Sequence, residues 1–164
     1  MAEFEACYTA NKITKLRAAV NYMDSIYELK LAIQGNAKYE YLAKEFFSKA
    51  SFPWKPNDSD LVNLKNWIQE TGALDDLVMP NESSQFQLNP FGDYFKCLRS
   101  NTNPDIKMKA NNNLAQGWPS LVFTMSDYAQ EDKSKWTSMH WFVLKVDLLI
   151  YLTYPNGKID VLNY

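Results

Sequence analysis

The chain has a single histidine, His140, and it opens the most apolar stretch of the sequence, HWFVLKVDLLIYLTYPNGKIDVLNY over residues 140–164. An imidazole changes charge near neutral pH, so His140 is the first residue to consider for acid–base chemistry. A catalytic base also needs a nucleophile within hydrogen-bond reach and a carboxylate to orient it. Sequence shows neither. At the start of a predicted strand, and on the parity of its core face, His140 reads as a rim residue, and no residue is assigned a catalytic role. A solitary histidine also excludes metal sites built from two or three histidines within one chain. If the fold encloses a cavity, Phe142, Leu144, Val146 and His140 are expected to line it.

Pro104-Asp105 with Glu131-Asp132-Lys133 resembles the Pro-Asp and acidic-x-Lys pattern of restriction-type nucleases. In that chemistry carboxylates hold Mg²⁺ and a lysine stands near the attacking water. Both halves fall in predicted loops and not on core strands, so the pattern is not adopted. Asp75 and Asp76 are adjacent, and neighbours on a helix do not face each other. A polar helix edge suits them better than a catalytic pair. Cys7 and Cys97 form no C-x-x-C pair; whether they bridge is open at this level, and with one histidine they fall short of a zinc set. Cys7 as a nucleophile for His140 is weighed against a buried or idle thiol, which is the default. With five glycines and none of the phosphate-cradling or nucleophile-elbow motifs, no cofactor and no metal are expected.

Aromatic residues make up 15% of the chain. Phe52 and Trp54 in FPWKP, Trp118 in QGWP, Tyr128 and Trp136 fall in or beside predicted loops, where core packing explains them less well. Aromatic anchors amid polar residues are what protein-binding surfaces use, so these five are the expected partner-binding residues. The alternative is that the rings fold back as lids over the core.

A net charge of −2 and a pI near 5.4 give no field that would gather phosphate backbones, so no nucleic-acid partner is expected. The clearest basic cluster, Lys12, Lys15 and Arg17, lies on a predicted helix and reads as a solvated face. No stretch reaches the roughly 18 apolar residues of a membrane-spanning helix, and the first residues lack an apolar signal-peptide core. A cytoplasmic location without membrane contact is therefore expected.

The elements that must position these residues divide the chain into a helical half, residues 8–79, and a sheet half, residues 85–164, within one domain spanning 1–164. Ile13, Leu16, Val20, Met23 and Tyr27 recur at three- and four-residue steps, which predicts a helix with one buried face that stops at Gly35-Asn36. A second helix fits Lys38 to Ala50, with Tyr39, Leu42, Phe46 and Ala50 on one side. A third is capped at Asp58 or Ser59, carries Leu61, Leu64 and Ile68 with Trp67 beside them, and ends at Gly72. ALDDLVMP adds a short helical turn before Pro80.

Beyond Pro80 the spacing suggests strands. FQLNPFGDYFKCLRS reads as two extended pieces around an Asn-Pro-Phe-Gly turn, NTNPDIKMKANNNLAQGWP as a long surface loop, and SLVFTMSDY as a strand. Every even position from Phe142 to Tyr154 is apolar, which predicts a long strand with a bend near Lys145 to Asp147. It is followed by a hairpin at Asn156-Gly157 that pairs Leu152 with Val161 and Tyr154 with Ile159. The expected class is α+β: three N-terminal helices packed on a C-terminal antiparallel sheet of four to five strands ending in a hairpin. Nuclear-transport-factor-like, cystatin-like and pilin-like domains share that order of elements, an architectural comparison that licenses no function.

From these readings we expect a non-enzymatic protein-binding domain that docks onto another protein, of inhibitor, immunity or antagonist type, its slight acidity suiting a basic partner. A small-ligand pocket protein or enzyme of the nuclear-transport-factor-like architecture is the alternative. A truncated secreted or filament subunit of pilin-like architecture is the second. Oligomeric state is open.

Overall fold

The computed structural model describes residues 1–49, 58–80, 86–116 and 130–153. Helix α1 spans Ala2–Cys7 and α2 spans Ala10–Leu31. On α2 the expected face is the buried one: Ile13, Leu16, Val20, Met23 and Tyr27, joined by Ala19 and Ile26. The helix stops earlier than Gly35, at Ala32, which takes the left-handed conformation (φ 55°) and sends its N–H back to Glu28 O. Helix α3 is Ala37–Lys49, with Tyr39 and Leu42 buried. Helix α4, Ser59–Thr71, follows its sequence signals at both ends. The Asp58 carboxylate accepts from the Asp60 N–H, satisfying a first-turn amide, and Gly72 closes the helix at φ 63°.

The expected sheet is where the structure departs from the sequence reading. Among the described residues, strands are confined to a two-stranded antiparallel hairpin, β1 (Val78–Pro80) and β2 (Phe86–Leu88), in the register Val78↔Leu88 and Pro80↔Phe86. The regular structure elsewhere among the described residues of the expected sheet half is helical: α5 (Asp93–Arg99), α6 (Pro104–Gln116), a 3₁₀ turn at Lys133–Lys135, and α7 (Ser138–Thr153). The protein is mostly helical, and the α+β class with a four- to five-stranded sheet is wrong. The three architectural comparisons fall with it. The SLVFTMSDY strand and the terminal hairpin lie outside the described residues.

The decisive error concerns α7. Its even positions are apolar, but so are Val143, Leu149 and the half-buried Tyr151. A segment that is apolar on nearly every side satisfies any parity, and its length decides the matter. Buried strands run 4–8 residues, whereas a mostly apolar run of 16 without Gly or Pro favours a fully buried helix. Such a helix belongs at the centre. Helices α2 and α4 pack on it, Phe4 of α1 meets Phe142 with ring centroids 5.8 Å apart, and α6 reaches it through Asn113. Among the described residues, all the buried apolar ones except Ala43 and Leu61 form one continuous cluster that includes Phe4 and Leu152.

The predicted loop 101–119 contains α6. Pro104 stands at the first helical position, where its missing N–H costs nothing, and the Asn103 side-chain oxygen accepts from the N–H groups of Asp105 (2.9 Å) and Ile106 (3.4 Å). Its buried face is Ile106, Lys109, Ala110 and Asn113, a helical period carried half by polar residues.

Cys7 and Cys97 are joined in a disulfide with Cα atoms 5.7 Å apart, tying α1 to α5. Around it Phe4, Tyr8 and Tyr94 pack edge-on or tilted at 5.2–6.0 Å.

Candidate functional site

Three segments converge at one end of α7: the first turn of α6, the 3₁₀ turn, and the first turn of α7 itself. Between them lies an open cleft of about 420 Å³ lined by Asn103, Asp105, Glu131, Asp132, Lys135, Trp136 and His140. His140 sits on the third residue of α7 and is buried. Its Nδ1 accepts the Thr137 backbone N–H at 3.1 Å and lies 2.8 Å from Thr137 Oγ1, while Nε2 is 3.1 Å from Asp105 Oδ2. An acceptor Nδ1 places the proton on Nε2, which donates to Asp105. Trp136 stacks on the imidazole with centroids 6.0 Å apart and planes 22° off parallel.

Hydroxyl, imidazole and carboxylate therefore stand in line, the order of a nucleophilic triad. The chemistry does not follow. In this tautomer the basic lone pair is on Nδ1, and a backbone amide points at it. That amide belongs to the residue just before the helix, and its acceptor is the third helical residue, so the pair forms one half of a capping box. His140 closes the end of α7.

The two halves of the nuclease-like pattern do meet here, contrary to their placement in separate loops. Lys109 of α6 pairs with Glu131 Oε1 and stands 3.8 Å from Asp105 Oδ2. The Lys109 side chain is only 7% exposed, and its ammonium stands between the carboxylates. The second Glu131 oxygen accepts the Trp136 indole N–H at 3.2 Å, and Lys133 turns back on Glu131 O at 3.1 Å and over the Trp136 ring. Among the described residues no group of His, Cys, Asp or Glu is arranged to hold a metal ion. Asp132 is held below the usual carboxylate range by hydrogen bonds from the Ser134 side chain and backbone.

Of the expected partner-binding aromatics, Phe52, Trp54, Trp118 and Tyr128 lie outside the described residues. Trp136 is half-buried against His140 and Trp141. Of the expected pocket residues, His140 lines the cleft, but Phe142 and Leu144 point into the packed core at 8% and 1% exposure. Asp75 and Asp76 are not a pair. Asp76 accepts the Tyr94 N–H at 2.8 Å and the Lys12 ammonium at 2.6 Å, which fixes the start of α5.

A second feature escaped the sequence reading except as a turn. In Asn89-Pro90-Phe91-Gly92 the Phe91 N–H donates to Asn89 Oδ1 (3.1 Å), the Gly92 N–H to Asn89 O (3.2 Å), and the Asn89 N–H to Leu77 O (2.8 Å). Arg99 Nη2 donates to Pro90 O at 3.0 Å. Gly92 lies so close to Asp76 that a Cβ there would come within 1.9 Å of the Asp76 carbonyl oxygen. On this restrained backbone the Phe91 ring is 74% exposed. The signal in the sequence was Asn-Pro followed by a large apolar residue and Gly, where turns ordinarily place polar ones.

No helix among the described residues is long and apolar enough to cross a membrane. Comparison with family models, with curated proteins and with solved structures returns no match for this chain.

Proposed function

We propose that the chain is a non-enzymatic docking protein that anchors on a partner protein through the Asn89–Gly92 turn, with Phe91 as the anchor. The observation that carries this reading is Phe91, 74% exposed, on a backbone restrained by four hydrogen bonds and by the close approach of Gly92 to Asp76. Single apolar residues scattered on a surface need no explanation. A turn this restrained differs, because a partner that receives the ring has little left to order and so loses little entropy on binding. Packing accounts for the inner contacts of the turn; it does not account for Phe at its outermost position. The complementary surface is an apolar pocket with a polar rim, the arrangement that aromatic anchors fill.

The cleft favours binding over catalysis as well, since its histidine lone pair is committed to a backbone amide and both Glu131 oxygens are engaged. Net charge argues against a polyanionic partner. The Cys7–Cys97 bridge supports an oxidising compartment as the working environment, in place of the cytoplasm expected from the sequence.

The test is a photo-crosslinking amino acid placed at position 91 and, separately, at Leu29, which is 86% exposed, in extracts of the native host. A discrete adduct from position 91 alone, blocked by excess wild type and not by Phe91→Ala, is the expected result. Equal adducts from both positions, no adduct, or equal blocking by Phe91→Ala overturns the proposal.

A further inference from the structure

Asp147 stands in the middle of the most apolar helix of the protein and is 1% exposed. One of its oxygens, Oδ2, receives the Asn113 side-chain amide of α6 at 3.3 Å; the other, Oδ1, has no hydrogen-bond partner among the described residues. The fully buried hydroxyl of Tyr94, on α5, has none among the described residues either, and it feels the Asp147 charge. Lys109, one turn before Asn113 on α6, attracts that charge from a distance, but its ammonium is bound at Glu131. Helices α2 and α4, which also pack on α7, turn apolar side chains to the core, among them Leu16, Val20, Met23, Leu61, Leu64 and Ile68. An ionised carboxylate in such a place holds up to four acceptor sites and is served by one long amide contact.

We propose that Asp147 is an internal acid sensor, so that α5, α6 and α7 close tightly on the protonated carboxyl and the seam between α6 and α7 loosens when it ionises. The physical drive is the desolvation cost of a charge, several kcal/mol when unpaired, set against the small cost of a neutral acid in the same place. Burial raises the Asp147 pKa to about 7, against the opposing pull of Asn113 and Lys109. The direction of the linkage follows. Between the unfolded carboxylate value, about 4, and about 7, the folded chain holds a proton that the unfolded chain has lost. Stability therefore falls as pH rises through that window, by up to about tenfold in the folding equilibrium constant per pH unit, and levels off above it.

The experiment is urea unfolding of the oxidised full chain between pH 5 and 8.5, for wild type and Asp147→Asn. Asparagine keeps the shape and removes the titration. A wild-type midpoint that falls from pH 5 to pH 7.5, a flat profile for Asp147→Asn, and a variant more stable than wild type at pH 8 are expected. A flat wild-type profile, or an unchanged slope in the variant, overturns the proposal. Should Asp147→Asn fail to fold, carbon-detected NMR titration of the aspartate carboxyls in the wild type decides the matter. One carboxyl with a midpoint near neutrality supports the sensor, and all midpoints below about 5 overturn it.

Discussion

The backbone N–H of Thr137 donates to Nδ1 of His140 at 3.1 Å, and the opposite ring nitrogen is held by Asp105 at 3.1 Å. The histidine thereby links the end of the central helix to the start of α6. His140→Ala is expected to lose the cap and the packing against Trp136, about 2 kcal/mol together. His140→Gln is expected to recover roughly half, since glutamine accepts from the residue before the helix in the same way. Urea midpoints of the oxidised variants measure both. Equal losses for Ala and Gln would show that the amide contact contributes nothing.

How far this arrangement was legible in the sequence depended on which residues carried the helical period. In α4 the period is carried by Leu61, Leu64 and Ile68, with Asp58 and Gly72 at the ends, and the sequence reading matches the structure. In α6 two of the buried positions are Lys109 and Asn113, whose partners Glu131 and Asp147 lie 22 and 34 residues away. A count of apolar spacing is blind to a face that is buried through distant polar contacts. In α7 the reverse held: nearly every position is apolar, so alternation carried no information and length was the usable signal. His140, Asp105, Glu131, Asp132 and Trp136 were each singled out in the sequence, but their meeting in one cleft was not legible, because the ends of these two misread helices and the 3₁₀ turn bring them together. The Phe91 turn was placed as a turn, but its exposure is a tertiary fact.

The disulfide closes a loop with a sequence separation of 90 residues. In the chain-entropy account a loop of that size restricts the unfolded state by roughly 4–5 kcal/mol. Reduction, or Cys7→Ser with Cys97→Ser, is expected to lower the unfolding free energy by up to that amount. Thiol titration of the native protein should find no free thiol before reduction. A reduced chain with the same urea midpoint as the oxidised one would remove the bridge from the stability account.

Asp24 joins three elements of the fold. It accepts from Lys38 (2.8 Å) and Tyr39 (2.5 Å) of α3 and from Lys145 (3.0 Å) of α7, and the Lys38 side chain is only 2% exposed. Burial raises the Asp24 pKa, but the hydrogen bonds from Lys38, Tyr39 and Lys145 outweigh it and hold the carboxyl below its ordinary value. A depressed folded pKa contributes stability above the unfolded value, about 4, and that contribution is lost as pH falls through the folded value. Asp24 thus opposes Asp147, and the two together give a stability maximum on the acid side of neutrality. Asp24→Asn is expected to cost about 3 kcal/mol at pH 6, because it removes the charge that Lys145 pairs with and one of the two carboxylates on the buried Lys38, leaving Glu28 at 2.7 Å. It should also flatten the acid limb below pH 4. Urea midpoints from pH 2.5 to 6 read both effects, and an unchanged acid limb would assign it to other carboxylates.

Two glycines separate backbone strain from close approach. Gly35 has φ 64°, and a methyl group added there would meet nothing within 4 Å, so Gly35→Ala meets only the left-handed penalty, about 1 kcal/mol. Gly92 has an ordinary φ, but a Cβ there would stand 1.9 Å from the Asp76 carbonyl oxygen and 3.2 Å from the Asn89 side chain. The carbonyl cannot rotate aside as a side-chain tip would, because Asp76 is also fixed by Lys12 and the Tyr94 amide. Gly92→Ala must therefore move the turn itself, at a cost of about 3 kcal/mol, at the upper end of overpacking losses. The displaced turn carries Phe91 with it. The expected result is that Gly92→Ala weakens crosslinking from position 91 as well as shifting the urea midpoint, whereas Gly35→Ala changes the midpoint alone. If Gly92→Ala destabilised the fold and left crosslinking from position 91 intact, the restrained geometry of the turn would not be what positions the Phe91 ring.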